Sequence, residues 1–277
     1  MEFFPDRIHV RLRSRVTGAY LHADEDGVRV SLRWRRASLN TAWAVHRTVR
    51  DGITYVLLHG AAYGRYLALS PVPAPHGLFA VQRDYSELEL NAVMWLGVMA
   101  AGEVGNYVVV RHISNRVLRA NGRFRRWDTA VTVDYFDWSN MMHWRVEAIP
   151  PRPEPPLLPV PGPTQNLRGR FALFLQRADP VVERARLIRC FGADNLGNFE
   201  LLGTFQFYGR SVFNLRSEVA FRVNQVIFSG ITVCVRAGFY GRPTPLVIDL
   251  PRNEETMDIV VLTTGSPAAA ELRYPDV

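Results

Sequence analysis

Two short stretches of the sequence combine arginine with aromatic residues. The first reads RWRRAS and contains Arg33, Trp34, Arg35 and Arg36. The second reads RFRRW and contains Arg123, Arg125, Arg126 and Trp127. Guanidinium groups bind carboxylates and phosphates through paired hydrogen bonds, and they stack on aromatic rings. Both stretches together predict a surface that binds an anionic partner, and the alternative is that they are ordinary solvated basic loops.

Ser38 closes the first of these stretches. The letters RRAS match the preference of basophilic kinases, so Ser38 is a candidate phosphorylation site. A phosphate there would add negative charge beside Arg35 and Arg36 and would oppose the binding of an anion.

No combination of residues in the sequence predicts catalysis. All 33 basic residues are arginine, so a G-x-x-x-x-G-K phosphate-binding loop cannot occur. The patterns G-x-G-x-x-G, H-E-x-x-H and G-x-S-x-G are also missing. The histidines are scattered, and Cys190 and Cys234 lie in apolar strand patterns typical of buried, inert thiols. We therefore expect no catalytic residues, no metal and no cofactor.

The composition is typical of a soluble globular protein. The chain has 277 residues, 48% of them hydrophobic and 21% charged, with a net charge of +7. We expect no membrane span, because no apolar run is long enough, and no secretory signal at the N-terminus. Two cysteines without metal-type spacing fit a reducing compartment, so we expect a cytoplasmic or nuclear protein that is not secreted.

A threefold repeat organises residues 1–149. The phrases YLHAD, YLALS and VLRAN recur about 50 residues apart, and each is followed by a strand that contains a tryptophan. Short alternating strands and turn signals within each unit predict a closed pseudo-threefold barrel, a β-trefoil. Recurrence in every unit indicates that the repeated residues fill the barrel core: Tyr20, Leu21, Tyr66, Leu67, Leu118, Trp43, Trp95 and Trp144.

A proline-rich spacer and a second domain follow. Residues 150–166 are too rich in proline for a helix or a central strand and predict a semi-rigid linker. Residues 167–277 predict strands over 185–194, 197–209, 231–238, 244–251 and 257–264, with one helix capped by Asn214 after the second strand. Leu215, Val219 and Val223 give that helix its apolar stripe. The order ββαβββ predicts an α+β, ubiquitin-like domain, and without a terminal Gly-Gly we expect binding or assembly rather than conjugation.

Several long motifs, in order, resemble one plant family across essentially the whole chain: HVRLRSR, YLHADEDG, RRASLNTAWAVH, AAYGRYLALSPVPAP, MMHWRVEAIPPRP and LRYPDV. This is the plant domain-of-unknown-function family 569. The resemblance implies a fascin-like, actin-cross-linking-like β-trefoil with an associated C-terminal ubiquitin-like domain, and it implies no catalytic residues. F-actin is therefore the expected partner, since its acidic filaments suit a basic trefoil. The alternatives are a lectin-like trefoil that binds glycans and a trefoil that binds an anionic ligand such as a phosphoinositide. No nucleic-acid motif is present.

Overall fold

A computed structural model describes residues 3–100, 106–122, 129–136, 139–160, 185–193, 198–223 and 230–277. Its first part is built of strands: β1 (His9–Ser14), β2 (Tyr20–Ala23), β3 (Val30–Arg33), β4 (Trp43–Arg50), β5 (Ile53–Gly60), β6 (Tyr66–Pro73), β7 (Leu78–Arg83), β8 (Trp95–Met99), β9 (Tyr107–His112), β10 (Val117–Ala120), β11 (Val131–Asp134) and β12 (His143–Ile149). The second part contains β13 (Ala185–Ala193), β14 (Phe199–Tyr208), α1 (Val212–Arg222), β15 (Ile231–Val235), β16 (Thr244–Pro245), β17 (Met257–Thr263) and α2 (Pro267–Ala270).

The first twelve strands form a β-trefoil, as the repeat predicts. Six of them close into a barrel in the order β1, β4, β5, β8, β9, β12, with β12 pairing back onto β1. The other six form three hairpins, β2–β3, β6–β7 and β10–β11, at one end of the barrel. Closure pairs the barrel strands on both sides, which removes the free edges that invite aggregation.

Local turn chemistry sets the strand register. Asp51 and Gly52 both have positive φ, at 52° and 75°, between the paired residues Arg50 and Ile53. An Asp-Gly pair in that conformation is the two-residue hairpin turn whose twist matches the flanking strands. The β4–β5 hairpin therefore follows directly from the letters DG.

The barrel core contains the repeated leucines and tryptophans but not the repeated tyrosines. The predicted core residues Leu21, Leu67, Leu118, Trp43, Trp95 and Trp144 are buried together in one cluster. Tyr20 and Tyr66 are also buried, as predicted, but they lie outside this cluster, and Tyr66 packs in a second cluster with Tyr85 and Ala237. Successive side chains of a strand point to opposite faces, and the leucine that follows each tyrosine takes the inward position.

The second part has the predicted ββαβββ order. Its sheet runs β14, β13, β17, β15, β16, with β13 and β17 parallel and the other pairs antiparallel. Leu215 and Val219 are fully buried against the sheet, and Val223 packs at the margin of the same cluster. The helix begins earlier than predicted, because the hydroxyl of Ser211 accepts the N–H of Asn214 and caps it. The predicted fourth strand shortens to Thr244–Pro245.

The two parts are packed against each other. Tyr66 and Tyr85 of the trefoil share an apolar cluster with Ala237, and backbone hydrogen bonds join Tyr85 to Ala237 and Tyr240. Arg65 forms ion pairs with both Asp84 and Glu255, and so joins the two parts electrostatically.

The C-terminal residues return to the start of the predicted spacer. Pro275 pairs with Pro151, the backbone N–H of Arg152 donates to the Tyr274 carbonyl, and that of Asp276 donates to the Pro150 carbonyl. Residues 152–160 contain no helix or strand. No helix in the described part of the chain is long and apolar enough to cross a membrane.

Candidate anion-binding surface

The first predicted basic stretch lies at the surface where β3 ends. Arg33, Trp34, Arg35 and Arg36 are all exposed, and Trp34 is 74% exposed. The backbone carbonyl of Arg36 accepts hydrogen bonds from Arg11 Nε at 3.0 Å and Thr41 Oγ1 at 2.9 Å, which fix the loop to the barrel. The second predicted stretch, with Arg123, Arg125, Arg126 and Trp127, lies outside the described residues.

Strand pairing extends this stretch into a row that the sequence analysis did not find. Arg33 is opposite Tyr20, Tyr20 is opposite Arg13, Arg13 is opposite Arg145, and Arg145 is opposite Tyr107. Directly opposed residues of antiparallel strands project to the same face. These five residues therefore form a basic cross-strand row of about 19 Å, given a strand spacing of about 4.8 Å.

Cation–π contacts organise the basic cross-strand row. The Arg13 guanidinium lies 5.9 Å from the centroid of the Tyr20 ring, and that of Arg145 lies 5.7 Å from the Tyr107 ring. A further arginine, Arg15, stacks on Tyr107 at 4.9 Å and donates to His143 Nδ1 at 3.0 Å. Arg13 Nε also donates to the Gly18 carbonyl at 3.0 Å. Stacking and this hydrogen bond hold the Arg13 guanidinium in place, and its terminal N–H groups form no ion pair in the described residues.

Three guanidinium groups of the row lack a carboxylate partner. Within the described ranges, Arg13, Arg33 and Arg145 form no ion pair, whereas neighbouring Arg36 pairs with Glu147 at 3.3 Å. Arg13 and Arg145 also stand directly opposite one another, and like charges in that arrangement destabilise a sheet. The row therefore concentrates positive charge and reduces the stability of the sheet at this position.

The threefold repeat shows which residues the barrel itself requires at these positions. Three equivalent corners, the β1–β2, β5–β6 and β9–β10 turns, each contain a positive-φ residue: Gly18 at 72°, Gly64 at 70° and Asn115 at 63°. By strand register, the row at the first corner corresponds at the second corner to Arg83, Tyr66, His59, Ala44 and His9. At the third corner it corresponds to Asp134, Val117, Arg111, Leu96 and Tyr55.

Only the first corner is strongly basic. Arg83 at the second corner is neutralised by Glu89 at 2.7 Å, and Asp134 at the third corner is acidic. Burial lowers the pKa of His9 to about 4 and that of His59 well below its usual value, so both are neutral near pH 7. Since Ala44 and Leu96 occupy the position of Arg145 elsewhere, the barrel does not need an arginine there.

The second corner is covered by the second domain. The backbone N–H of Arg242 donates to the Tyr66 hydroxyl at 3.0 Å, and His59 Nδ1 lies 3.0 Å from Thr244 Oγ1. The first corner has no such cover in the described residues, and Tyr20 there has no hydrogen bond through its hydroxyl.

Ser38 has a structural role in the described geometry. Its hydroxyl accepts the N–H of Asn40 at 3.3 Å and caps the short 3₁₀ turn of residues 39–41. Phosphorylation of Ser38 stays a prediction.

The remaining reactive residue types in the described part of the chain are histidine, cysteine, aspartate and glutamate. No three His, Cys, Asp or Glu side chains there are arranged to hold a metal ion. Cys190 and Cys234 are buried free thiols, as predicted, and burial raises the pKa of Cys190 to about 11. Burial likewise raises the pKa of Cys234.

Both halves of the chain match protein families. Residues 1–146 match the family described as a beta-trefoil domain of unknown function (DUF569), and residues 184–262 match the DUF569 associated ubiquitin-like domain. The chain belongs to this DUF569 family, with a β-trefoil followed by a ubiquitin-like domain. No curated protein matches it.

Several solved structures resemble about half of this chain. A designed threefold-symmetric protein, ThreeFoil, is 20% identical with a TM-score of 0.42, over 50% of this chain and 96% of its own. A ricin B-like lectin of Macrolepiota procera, solved with lactose, is 16% identical with a TM-score of 0.43, over 52% of this chain and 96% of its own. A Culex salivary protein of the cysteine- and tryptophan-rich family is 18% identical with a TM-score of 0.41, over 52% of this chain and 94% of its own. These similarities are too low to transfer a ligand to this chain.

The row contains three residues that the sequence analysis missed, Arg13, Arg145 and Tyr107, together with Tyr20, which was predicted only as a core residue. Arg13 and Arg145 are 132 positions apart, and only closure of β12 onto β1 brings them together. Aligning the three repeats by strand position would have shown arginine at 13 where the second copy has His59. That alignment is the signal by which the sequence could have found Arg13.

Proposed function

We propose that this protein is a non-enzymatic binding protein whose trefoil binds an acidic protein surface through the basic cross-strand row. The observation that supports the proposal is the set of three guanidinium groups without an ion pair at the first corner. At the second corner Arg83 is paired with Glu89, and the third corner combines one arginine, Arg111, with the acidic Asp134. F-actin is the partner we propose first, because the family resemblance implies a fascin-like trefoil and because its filaments are acidic. A cytoplasmic or nuclear location belongs to the same proposal.

Phosphoinositides remain the alternative ligand, since guanidinium groups suit phosphates as well as carboxylates. Repeated glycan pockets are less well supported, because the three corners differ in their polar residues and in their charge. A lectin would be expected to repeat one constellation at equivalent positions.

Co-sedimentation with actin filaments at two salt concentrations tests the proposal. The row variant is Arg13→His with Arg145→Ala, which introduces the residues that the second corner already carries. We expect salt-sensitive pelleting of the natural protein and a rise in Kd of about tenfold or more in the row variant.

The matched control is Arg111→His with Arg273→Ala. Both arginines are exposed and without ion pairs in the described residues, so the control removes the same charge elsewhere. Equal losses in the row variant and the control would show a general charge effect and refute the row as the binding surface. Absence of pelleting at both salt concentrations would eliminate actin, and binding to phosphoinositide vesicles would then favour the alternative.

A further inference from the structure

The second domain shows how a trefoil corner can bind an extended segment of chain. Residues 242–245 lie across the second corner, where Arg242 N–H donates to the Tyr66 hydroxyl and Thr244 meets His59. The segment approaches the turn closely, since a Cβ at Gly64 would lie 2.9 Å from Val235 Cγ1 and 3.3 Å from Thr244 Cβ. The corner therefore supplies a hydroxyl acceptor for a backbone N–H, a polar partner for a side chain, and a glycine that allows close approach.

The first corner has the same framework without its occupant. Ser14 N–H bonds to Ala19 O and Gly18 N–H to Ser14 O, just as Gly60 N–H bonds to Arg65 O and Gly64 N–H to Gly60 O. Tyr20 takes the place of Tyr66. A Cβ at Gly18 would meet only the side chains of Arg13 and Trp34, both at 3.5 Å.

A tyrosine whose hydroxyl reaches solvent without a protein partner distinguishes this corner from the second one. Tyr20 is 7% exposed, and in the described part of the chain its hydroxyl has no hydrogen-bond partner. The Tyr66 hydroxyl, by contrast, contacts both Arg242 N and His46 Nδ1, each at 3.0 Å. A backbone N–H from an incoming segment would take the place of solvent at the Tyr20 hydroxyl.

The side chains around Tyr20 favour a negatively charged segment. Arg13 of the first corner stands where the second corner has the neutral His59, and Arg145 stands where it has Ala44. A segment bound at the first corner would therefore place the side chain equivalent to Thr244 against two guanidinium groups that form no ion pair. A carboxylate accepts two parallel hydrogen bonds from a guanidinium, which a hydroxyl cannot do. The exposed ring of Trp34 beside Gly18 adds an apolar contact for a neighbouring residue.

We infer that the first corner binds an extended acidic segment of a partner protein in the way the second corner binds residues 242–245. The inference rests on the proposed function and specifies the chemistry of the bound element. The segment donates a backbone N–H to Tyr20 and places Asp or Glu side chains against Arg13 and Arg145. A lipid headgroup offers charge but no backbone N–H.

The probe is a fluorescent peptide of alternating serine and glutamate, titrated onto the full chain, with a glutamine-for-glutamate peptide beside it. We expect saturable, salt-sensitive binding of the glutamate peptide only, which Arg13→His should abolish and Arg111→His should leave unchanged. Tyr20→Phe should weaken binding by about threefold to tenfold, the effect of one lost hydrogen bond. Val117 at the equivalent third-corner position shows that the barrel does not need this hydroxyl to fold.

Each outcome separates the inference from the proposed function. Unaltered affinity in both Tyr20→Phe and Arg13→His would overturn the docking mode. Filament binding that depends on Arg13 but is not competed by the glutamate peptide would also overturn it while leaving the proposed function intact. If anionic vesicles bind in a way that depends on Arg13 and the glutamate peptide does not bind, the inference is overturned in favour of a lipid ligand.

Discussion

The indole N–H of Trp43 donates a hydrogen bond of 3.1 Å to the backbone carbonyl of Leu21. The same bond joins Trp95 to Leu67 at 2.9 Å and Trp144 to Leu118 at 3.0 Å. All three tryptophans are fully buried, so each indole N–H needs an internal acceptor, and the repeated leucine supplies it through its backbone. Each bond fixes a hairpin to the barrel strand that follows it, which explains why both markers recur with the same period.

Replacement of Trp144 by phenylalanine should therefore destabilise the trefoil. The change removes volume from the core and leaves the Leu118 carbonyl without this donor, and together these effects should lower the free energy of unfolding by about 2–4 kcal/mol. Urea denaturation with an unchanged m-value is the measurement. Trp34→Phe, at a position that is 74% exposed, is the control and should leave stability nearly unchanged. A Trp144→Phe loss no larger than that of the control would contradict this account.

The trefoil was predictable from sequence because its core markers are local and repeated. Leucine and tryptophan keep their spacing in all three units, and the short strands that contain them can be recognised from the local sequence pattern. The repeated tyrosines are buried as predicted, but the sequence could not show that Tyr66 packs between the two domains and not in the barrel cluster. Tyr66 is fully buried among His46, His59 and Tyr85 of the trefoil, and its hydroxyl accepts the backbone N–H of Arg242. The basic cross-strand row could not be predicted without the strand register, because Arg13 and Arg145 are paired although most of the trefoil sequence lies between them.

Gly64 should be more sensitive to substitution than a glycine with the same backbone conformation at an open turn. Gly64→Ala places a Cβ 2.9 Å from Val235 Cγ1 and also strains a φ of 70°. Gly52 has a φ of 75° and nothing within 4 Å of an added Cβ, so Gly52→Ala isolates the backbone strain of about 1–2 kcal/mol. We expect Gly64→Ala to cost clearly more than Gly52→Ala in chemical denaturation. Equal costs would mean that the domain interface yields freely around the added methyl group.

Asp6 and Arg242 connect the N-terminal segment to the second domain through two hydrogen bonds of 2.9 and 3.2 Å. Both side chains are about one-third exposed, so a double-mutant cycle with Asp6→Asn and Arg242→Met should give a coupling free energy of about 0.5–1 kcal/mol. Burial alone would raise the pKa of Asp6, but the hydrogen bonds from Arg242 and the Arg47 backbone lower it overall. A lowered pKa means that the coupling is present near neutral pH and is lost as the pH falls through the folded-state pKa. Coupling that persists in strong acid would show that charge does not hold this contact.

Buried histidines should make the protein less stable in mild acid. Burial lowers the pKa of His9 and His46 to about 4, and it lowers the pKa of His59 well below its usual value. The unfolded chain binds protons near pH 6.5 while the folded state does not, so the free energy of unfolding should fall as the pH drops from about 6.5 to about 4. For His9 alone the loss is on the order of 3 kcal/mol when the pH reaches its folded-state pKa of about 4.

The variant His59→Gln isolates the contribution of the interface histidine. It removes one group that titrates only in the unfolded state, so its stability should fall less steeply over this pH range than that of the natural protein. Thr244→Val is the matched control: it removes the partner of His59 at 3.0 Å but no titratable group. We expect Thr244→Val to be less stable at every pH with the slope retained. The measurement is denaturant unfolding at several pH values, and a His59→Gln slope equal to that of the natural protein would show that His59 takes up a proton without unfolding.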